Sequence, residues 1–163
     1  KDYRLDRIKA LKTYIQPADH KATLLLEQIY HDLTDGNLGQ QGVIEFKGRQ
    51  INVPRVSGAV AFFSFGDLCS IPLGAGDYLL LAKRFRSIII SDVPVMTSQN
   101  QDLARRFMVL IDALYESKAH LVISAAADPI NLYKGDDWGF EFDRTISRLL
   151  EMQSIDYIES SRQ

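Results

Sequence analysis

Three short apolar runs near residues 59–64, 87–92 and 119–124 alternate with two segments of helical spacing. The runs are too short for stable helices and rich in Val, Ile and Phe, so they predict strands. The first intervening segment, DYLLLAKRF, predicts a helix after a Pro/Gly-rich link through Pro72, Gly74 and Gly76. The second carries Leu103, Phe107, Leu110, Ile111 and Leu114 as one apolar stripe and opens at Ser98-x-x-Gln101, which has capping-box spacing. A β-α-β-α-β order requires parallel pairing with right-handed crossovers. Parallel strands place their ligand crevice at their carboxyl ends, which gathers Phe65-Gly66-Asp67, Ser91-Asp92 and Ser124 to Asp128 along one edge.

The flanking segments add to this core. Residues 18–34 set Ala22, Leu25, Leu26, Ile29, Tyr30 and Leu33 on one helical face, with Asp19 as N-cap. GVIEFKGRQINVP reads as a hairpin with Gly48-Arg49 as a type II′ turn, pairing Phe46 with Ile51 and Ile44 with Val53, and Pro54 ending the second strand. Asp128-Pro129 begins a short helical turn. Residues 140–153 form a last amphipathic helix through Phe142, Ile146, Leu149 and Leu150. The expected fold is a single α/β domain over residues 1–163. It is a three-layer-like unit with the parallel core, an N-terminal helix and a β-hairpin.

Charge excludes some functions. The net charge is −2, and neither half has a basic surplus, which argues against nucleic-acid binding. No apolar run approaches the roughly 18 residues of a membrane span. Cys69 is the single cysteine, set among apolar neighbours, and reads as an inert packed thiol. His20, His31 and His120 share no ligand spacing, so no metal site is expected.

Several side chains carry possible chemistry. Asp92 follows Ile88-Ile89-Ile90-Ser91, and a carboxylate at a strand end can hold Mg²⁺ beside phosphate. A base to activate water commonly follows such an Asp, and here the next residue is Val93. The bland reading makes Asp92 a loop cap before Pro94. Ser124 could sense a phosphate or act as a nucleophile, but its alanine neighbours do not form a Gly-x-Ser-x-Gly elbow and suit a tight backbone turn. Arg105 and Arg106, and the i, i+4 pair Arg144 and Arg148, could grip phosphate or a partner's carboxylates. They could equally pair with Asp102, Asp143, Glu141 and Glu151 on the surface. Trp138, in the Gly/Asp-rich loop KGDDWGFEF, is either a loop anchor or a partner hot spot.

A set of motifs then runs nearly end to end. They are Asp2-Tyr3-Arg4-Leu5; Phe65-x-Asp67-Leu68-Cys69; Pro72-Leu73-Gly74-Ala75-x-Asp77-Tyr78; Leu81 to Phe85; Asp92-Val93-Pro94-Val95; Ala104-Arg105-Arg106-Phe107; Leu110 to Tyr115; and Phe140 to Ser154. Together they resemble the C-terminal part of the ZapE-like (AFG-like) P-loop ATPases. The resemblance implies an ATPase core upstream that carries the Walker A loop, the Walker B Asp-Glu pair and the sensor. ATP and Mg²⁺ would belong to the intact protein, and this fragment would hold no cofactor and no catalytic residue. The sequence contains no G-x-x-x-x-G-K-[ST] loop. Residues 1–17 would link to the core, with Arg4 facing nucleotide. Arg105, Arg106, Arg144, Arg148 and Trp138 become candidates for contact with the core or a partner. The partners implied are that core and, in bacteria, a division-ring protein. The location implied is the cytoplasm, or the mitochondrial matrix for the other branch. The competing expectation is a small stand-alone α/β enzyme with a phosphate or Mg²⁺ site near Asp67, Asp92 and Ser124.

Overall fold

The structure, a computed structural model, describes residues 3–9 and 11–160, with side chains from Leu5 onward. The elements in chain order are α1 (Tyr3–Lys9), β1 (Tyr14–Ile15), α2 (His20–Leu33), β2 (Gln40–Phe46), β3 (Arg49–Ser57), β4 (Val60–Ser64), α3 (Phe65–Cys69), α4 (Ala75–Arg84), β5 (Ser87–Val93), α5 (Gln101–Glu116), β6 (His120–Ala125), α6 (Gly139–Glu151) and α7 (Ile155–Ser160). Short 3₁₀ turns at Ser98–Asn100 and Pro129–Asn131 precede α5 and follow β6.

One six-stranded sheet runs β1-β6-β5-β4-β3-β2. β4, β5, β6 and β1 are mutually parallel, and the β2–β3 hairpin continues the sheet antiparallel from β4. The α/β class, the parallel β-α-β-α-β core and the hairpin are as the sequence leads one to expect. Both crossovers step the same way across the sheet, so right-handedness puts α3, α4 and α5 on one face. α2 packs on β4, β5 and β6 from the other face, and α6 lies outside α5. Ile88, Ile89 and Ile90 are 1% exposed or less. Each buried side chain of this size contributes about 2 kcal/mol through apolar surface withdrawn from water.

The departures have local causes. Asp19 caps α2 as expected, its side chain accepting the Ala22 N–H at 2.9 Å. Leu25, however, stands 43% exposed. It lies on the flank of the apolar stripe beside Ile15 of the two-residue strand β1, where no further layer covers it. The hairpin turns one residue earlier than expected. Phe46 pairs with Arg49 and Ile44 with Ile51, so Lys47-Gly48 forms the turn. Both turn residues have positive φ, +50° and +79°, which makes a type I′ turn. A two-residue slip in partner keeps Ile44, Phe46, Ile51 and Val53 on one face, although Phe46, at the tip, is 53% exposed.

Pro54 does not end its strand. β3 meets β4 only from Arg55 onward, and the β2–β3 register shifts between Gln40 and Gly42, so Pro54 sits at a bulge that asks no N–H of it. Ahead of α5 the box is formed by Thr97 and Asn100, not Ser98 and Gln101. The Ser98 hydroxyl instead accepts the Asp136 N–H at 3.2 Å and ties the 133–139 loop to the helix start. On α6, Leu150 is 49% exposed, because only the side facing α5 is covered. The chain also continues past Gln153 into α7, whose Tyr157 donates to the Ala119 carbonyl at 2.8 Å.

Between α2 and the hairpin, the Arg55 guanidinium lies 4.2 Å from the Tyr30 ring centre and 5.2 Å from that of Phe62, and it pairs with Glu27 at 2.8 Å. Gly39 passes over Tyr30 with φ +78°, and a Cβ there would fall 2.1 Å from Tyr30 Oη and 3.1 Å from the Val56 carbonyl oxygen. Gly39→Ala should therefore cost about 2 kcal/mol in urea unfolding, with the slope unchanged, from left-handed strain plus overpacking. A loss below about 0.5 kcal/mol, the level of an ordinary surface change, would contradict this close approach.

Candidate functional site

The carboxyl edge of β4, β5 and β6 is where a doubly wound sheet binds its ligands. Here the chain's own groups stitch it together. The β5–β6 register breaks between Ile90 and Val93, and Asp92 takes φ +62° in that bulge. The bulge removes the Asp92 N–H from the ladder, and the Ser124 hydroxyl, buried to 2% exposure, accepts it at 2.8 Å. Beyond it, the Val93 carbonyl accepts the Ala126 N–H at 2.8 Å, and Tyr14 donates to the Ala127 carbonyl at 2.7 Å. Asp67 forms a reciprocal box with Ser64, its carboxylate accepting the Ser64 N–H at 2.8 Å while Ser64 Oγ accepts the Asp67 N–H at 3.1 Å.

The structure thus brings Asp92 and Ser124 together and sets Asp67 just past Ser64, which pairs with Ser91 of β5. The Asp92 carboxylate is exposed, with no hydrogen bond or ion pair among the described residues. Val93 beside it is fully buried. Among the described residues, no group of three or more His, Cys, Asp and Glu could hold a metal ion.

Groups that could seat a phosphate at this edge are partly taken by the chain's own side chains. A phosphate would need free backbone N–H groups at a helix start. At the start of α3 the Ser64–Asp67 box satisfies the N–H groups of those two residues and adds a carboxylate, and in the turn leading into α5 the Thr97 and Asn100 side chains accept the N–H groups of Gln99 and Thr97.

The model for AFG1-like ATPases matches residues 1–161. The chain belongs to the AFG1-like ATPase family. It is 32% identical to the cell division protein ZapE of Escherichia coli K12 over 158 residues, covering 97% of this chain and 42% of that protein. An uncharacterized protein of Schizosaccharomyces pombe is 35% identical over 191 residues, covering 98% and 42%. The lactation elevated protein 1 homolog B of Danio rerio is 30% identical over 191 residues, covering 96% and 38%. The chain therefore spans less than half the length of these relatives. No solved structure matches it.

The four candidate arginines of this AFG1-like chain, Arg105, Arg106, Arg144 and Arg148, divide into three kinds. Arg144 and Arg148 both turn onto Asp112 of α5, Arg144 at 2.6 Å. Arg148 also lies 3.7 Å from Glu116, and its guanidinium sits 4.7 Å from the centre of the Tyr115 ring. Tyr115 in turn donates to Glu151 at 2.8 Å, a bond that pushes the phenol's pKa upward. These groups clamp α6 to α5 over the stacked Phe107 and Phe142 rings, 6.5 Å apart. Arg106 donates to the Cys69 carbonyl at 3.0 Å. Burial pushes the neighbouring Cys69 thiol up to about 12, so it stays protonated and inert at neutral pH. Arg105 is exposed, with no hydrogen bond or ion pair among the described residues. Trp138 is half-buried against the core and its backbone N–H donates to Tyr133 Oη at 3.3 Å. Its indole N–H is buried without an acceptor among the described residues. The Arg4 side chain lies outside the described residues.

Two surface hollows escaped the sequence reading. One, of 610 Å³, lies between α5 and α6 and includes Met108, Val109 and Phe140, with Asp112, Glu141 and Asp143 about it. The other, of 590 Å³, lies between the β1 region and the start of α2. The signals were Phe140, which falls off the buried stripe of its helix, and the triple leucine 24–26, of which a helix can bury only part.

Ser124→Ala should leave the Asp92 N–H without its acceptor. The expected cost is about 1–2 kcal/mol in urea unfolding, with faster hydrogen exchange at the Asp92 amide. Unchanged exchange there would contradict the role given to the hydroxyl.

Proposed function

We propose that this chain is the C-terminal accessory domain of an AFG1-like ATPase, binding the nucleotide-bearing remainder of its polypeptide and a protein partner, and hydrolysing no ATP itself. The observation that carries this reading is the carboxyl edge of the sheet, closed by Ser64, Asp67, Thr97, Asn100 and Ser124 in a chain whose family is defined by ATP hydrolysis. ATP and Mg²⁺ then belong to the part of the relatives that this chain does not span. Arg4 is assigned to face that nucleotide, with residues 1–17 linking the two parts.

Arg105 has the features of an interdomain contact, being exposed and uncommitted among the described residues. Arg144 and Arg148 act at one remove, holding α6 in place, and Trp138 anchors the loop that leads into it. In a bacterium the protein partner is a component of the division ring in the cytoplasm, the process that the name of the Escherichia coli relative records. In the eukaryotic branch the location is the mitochondrial matrix. A stand-alone enzyme at Asp67, Asp92 and Ser124 would need those polar groups free for a ligand, and the Asp67 carboxylate and the Ser124 hydroxyl are committed within the chain.

Phosphate release from Mg·ATP separates the readings. The 163-residue chain should match the protein-free blank while an intact family member turns over. Turnover by the chain at the intact protein's rate would overturn the proposal.

A further inference from the structure

Phe140, the second residue of α6, is 86% exposed. Around it stand the exposed acids Glu141 and Asp143 on the helix and Asp136 and Asp137 in the preceding loop, while Arg144, the one cation lining the hollow beside it, is paired with Asp112. On the opposite face of the sheet is the 590 Å³ hollow walled by Ile15, Pro17, Ala22, Leu24 and Leu25, the last two 56% and 43% exposed. Its charge balance is of the other sign, two lysines against one carboxylate. Lys12 and Lys21 line it, both exposed and with no hydrogen bond or ion pair among the described residues. The one carboxylate there, Asp19, is engaged as the N-cap of α2.

We infer that Phe140 of one copy of this chain inserts into the Lys12/Lys21 hollow of a second copy. α2 covers one face of the sheet and α6 lies beyond α5 on the other, so Phe140 cannot reach the hollow of its own chain. The apolar parts match in kind and scale. A phenylalanine buries about 150–250 Å², and the 590 Å³ hollow has room for the ring. The charges match in sign, with Glu141 and Asp143 flanking the ring and Lys12 and Lys21 at the hollow. Each copy offers a projecting ring on one side and a hollow on the other, so the contact is heterologous and runs head to tail. The hollow borders residues 1–17, assigned above as the link to the rest of the polypeptide, but self-association of the 163-residue chain is read separately from ATP turnover.

Sedimentation velocity on the 163-residue chain tests this. Concentrations up to about 1 mM would populate even a millimolar contact. Two variants each block one side, Phe140→Glu and Leu24→Glu, both at exposed positions where folding should survive, as circular dichroism would verify. The wild-type chain should form dimers and longer species, and added salt should weaken them. Each variant alone should remain monomeric. An equimolar mixture should form one heterodimer and stop there, because one partner keeps its hollow and the other keeps its ring. A monomeric wild type, a single variant that still associates, or a mixture that stays monomeric would each overturn the inference.

Discussion

The Ile88-Ile89-Ile90 run must leave water on both sides at once, and the rest of the structure follows from that demand. A strand buried on one face can lie at a surface; this one cannot. Parallel neighbours β4 and β6 cover its edges, α4 and α5 are carried to one face by right-handed crossovers, and α2 closes the other. Successive side chains face opposite sides of the sheet, so removing one helical layer returns either Ile89 or the pair Ile88 and Ile90 to water, a loss of about 2–4 kcal/mol against a whole stability of about 5–15 kcal/mol.

The same constraint creates the carboxyl edge and then limits what it can do. β5 ends in a bulge that sets Asp92 at positive φ and takes its N–H out of the ladder. Ser124 on β6 is the acceptor that makes the bulge tolerable, which explains why a polar hydroxyl lies buried at that strand end. The helix starts nearby are occupied by their own caps. An architecture that elsewhere holds nucleotides is closed here by the residues that complete its backbone hydrogen bonds. Apart from the Asp92 carboxylate, the exposed features singled out above lie away from that edge, on α6 and beside α2.

Much of this was readable in the residues. The apolar runs gave the parallel strands, the spacing of Leu103 to Leu114 gave α5, and Asp19 gave the start of α2. What failed was governed by tertiary context. The turn at Lys47-Gly48 depends on a lysine accepting a left-handed conformation, which propensity argues against. Pro54 continues its strand because β4 begins to pair only beyond it. Strand β1 exists only because β6 offers an edge, and two residues carry no periodicity. At the candidate site, Asp92, Ser124 and the arginine pair were visible as residue types. Their partners were not, because Ser124 to Asp92 and Arg144 and Arg148 to Asp112 each span more than thirty residues. Phe140 and the triple leucine needed the helix faces to be assigned before their exposure meant anything.

The central claim is that the carboxyl edge is completed by the chain itself and is no nucleotide site. The most direct test is an amide-resolved NMR titration of the chain with Mg·ATP. The account predicts no saturable shift at Asp67, Asp92 or Ser124. Saturable shifts centred on those three residues would contradict it.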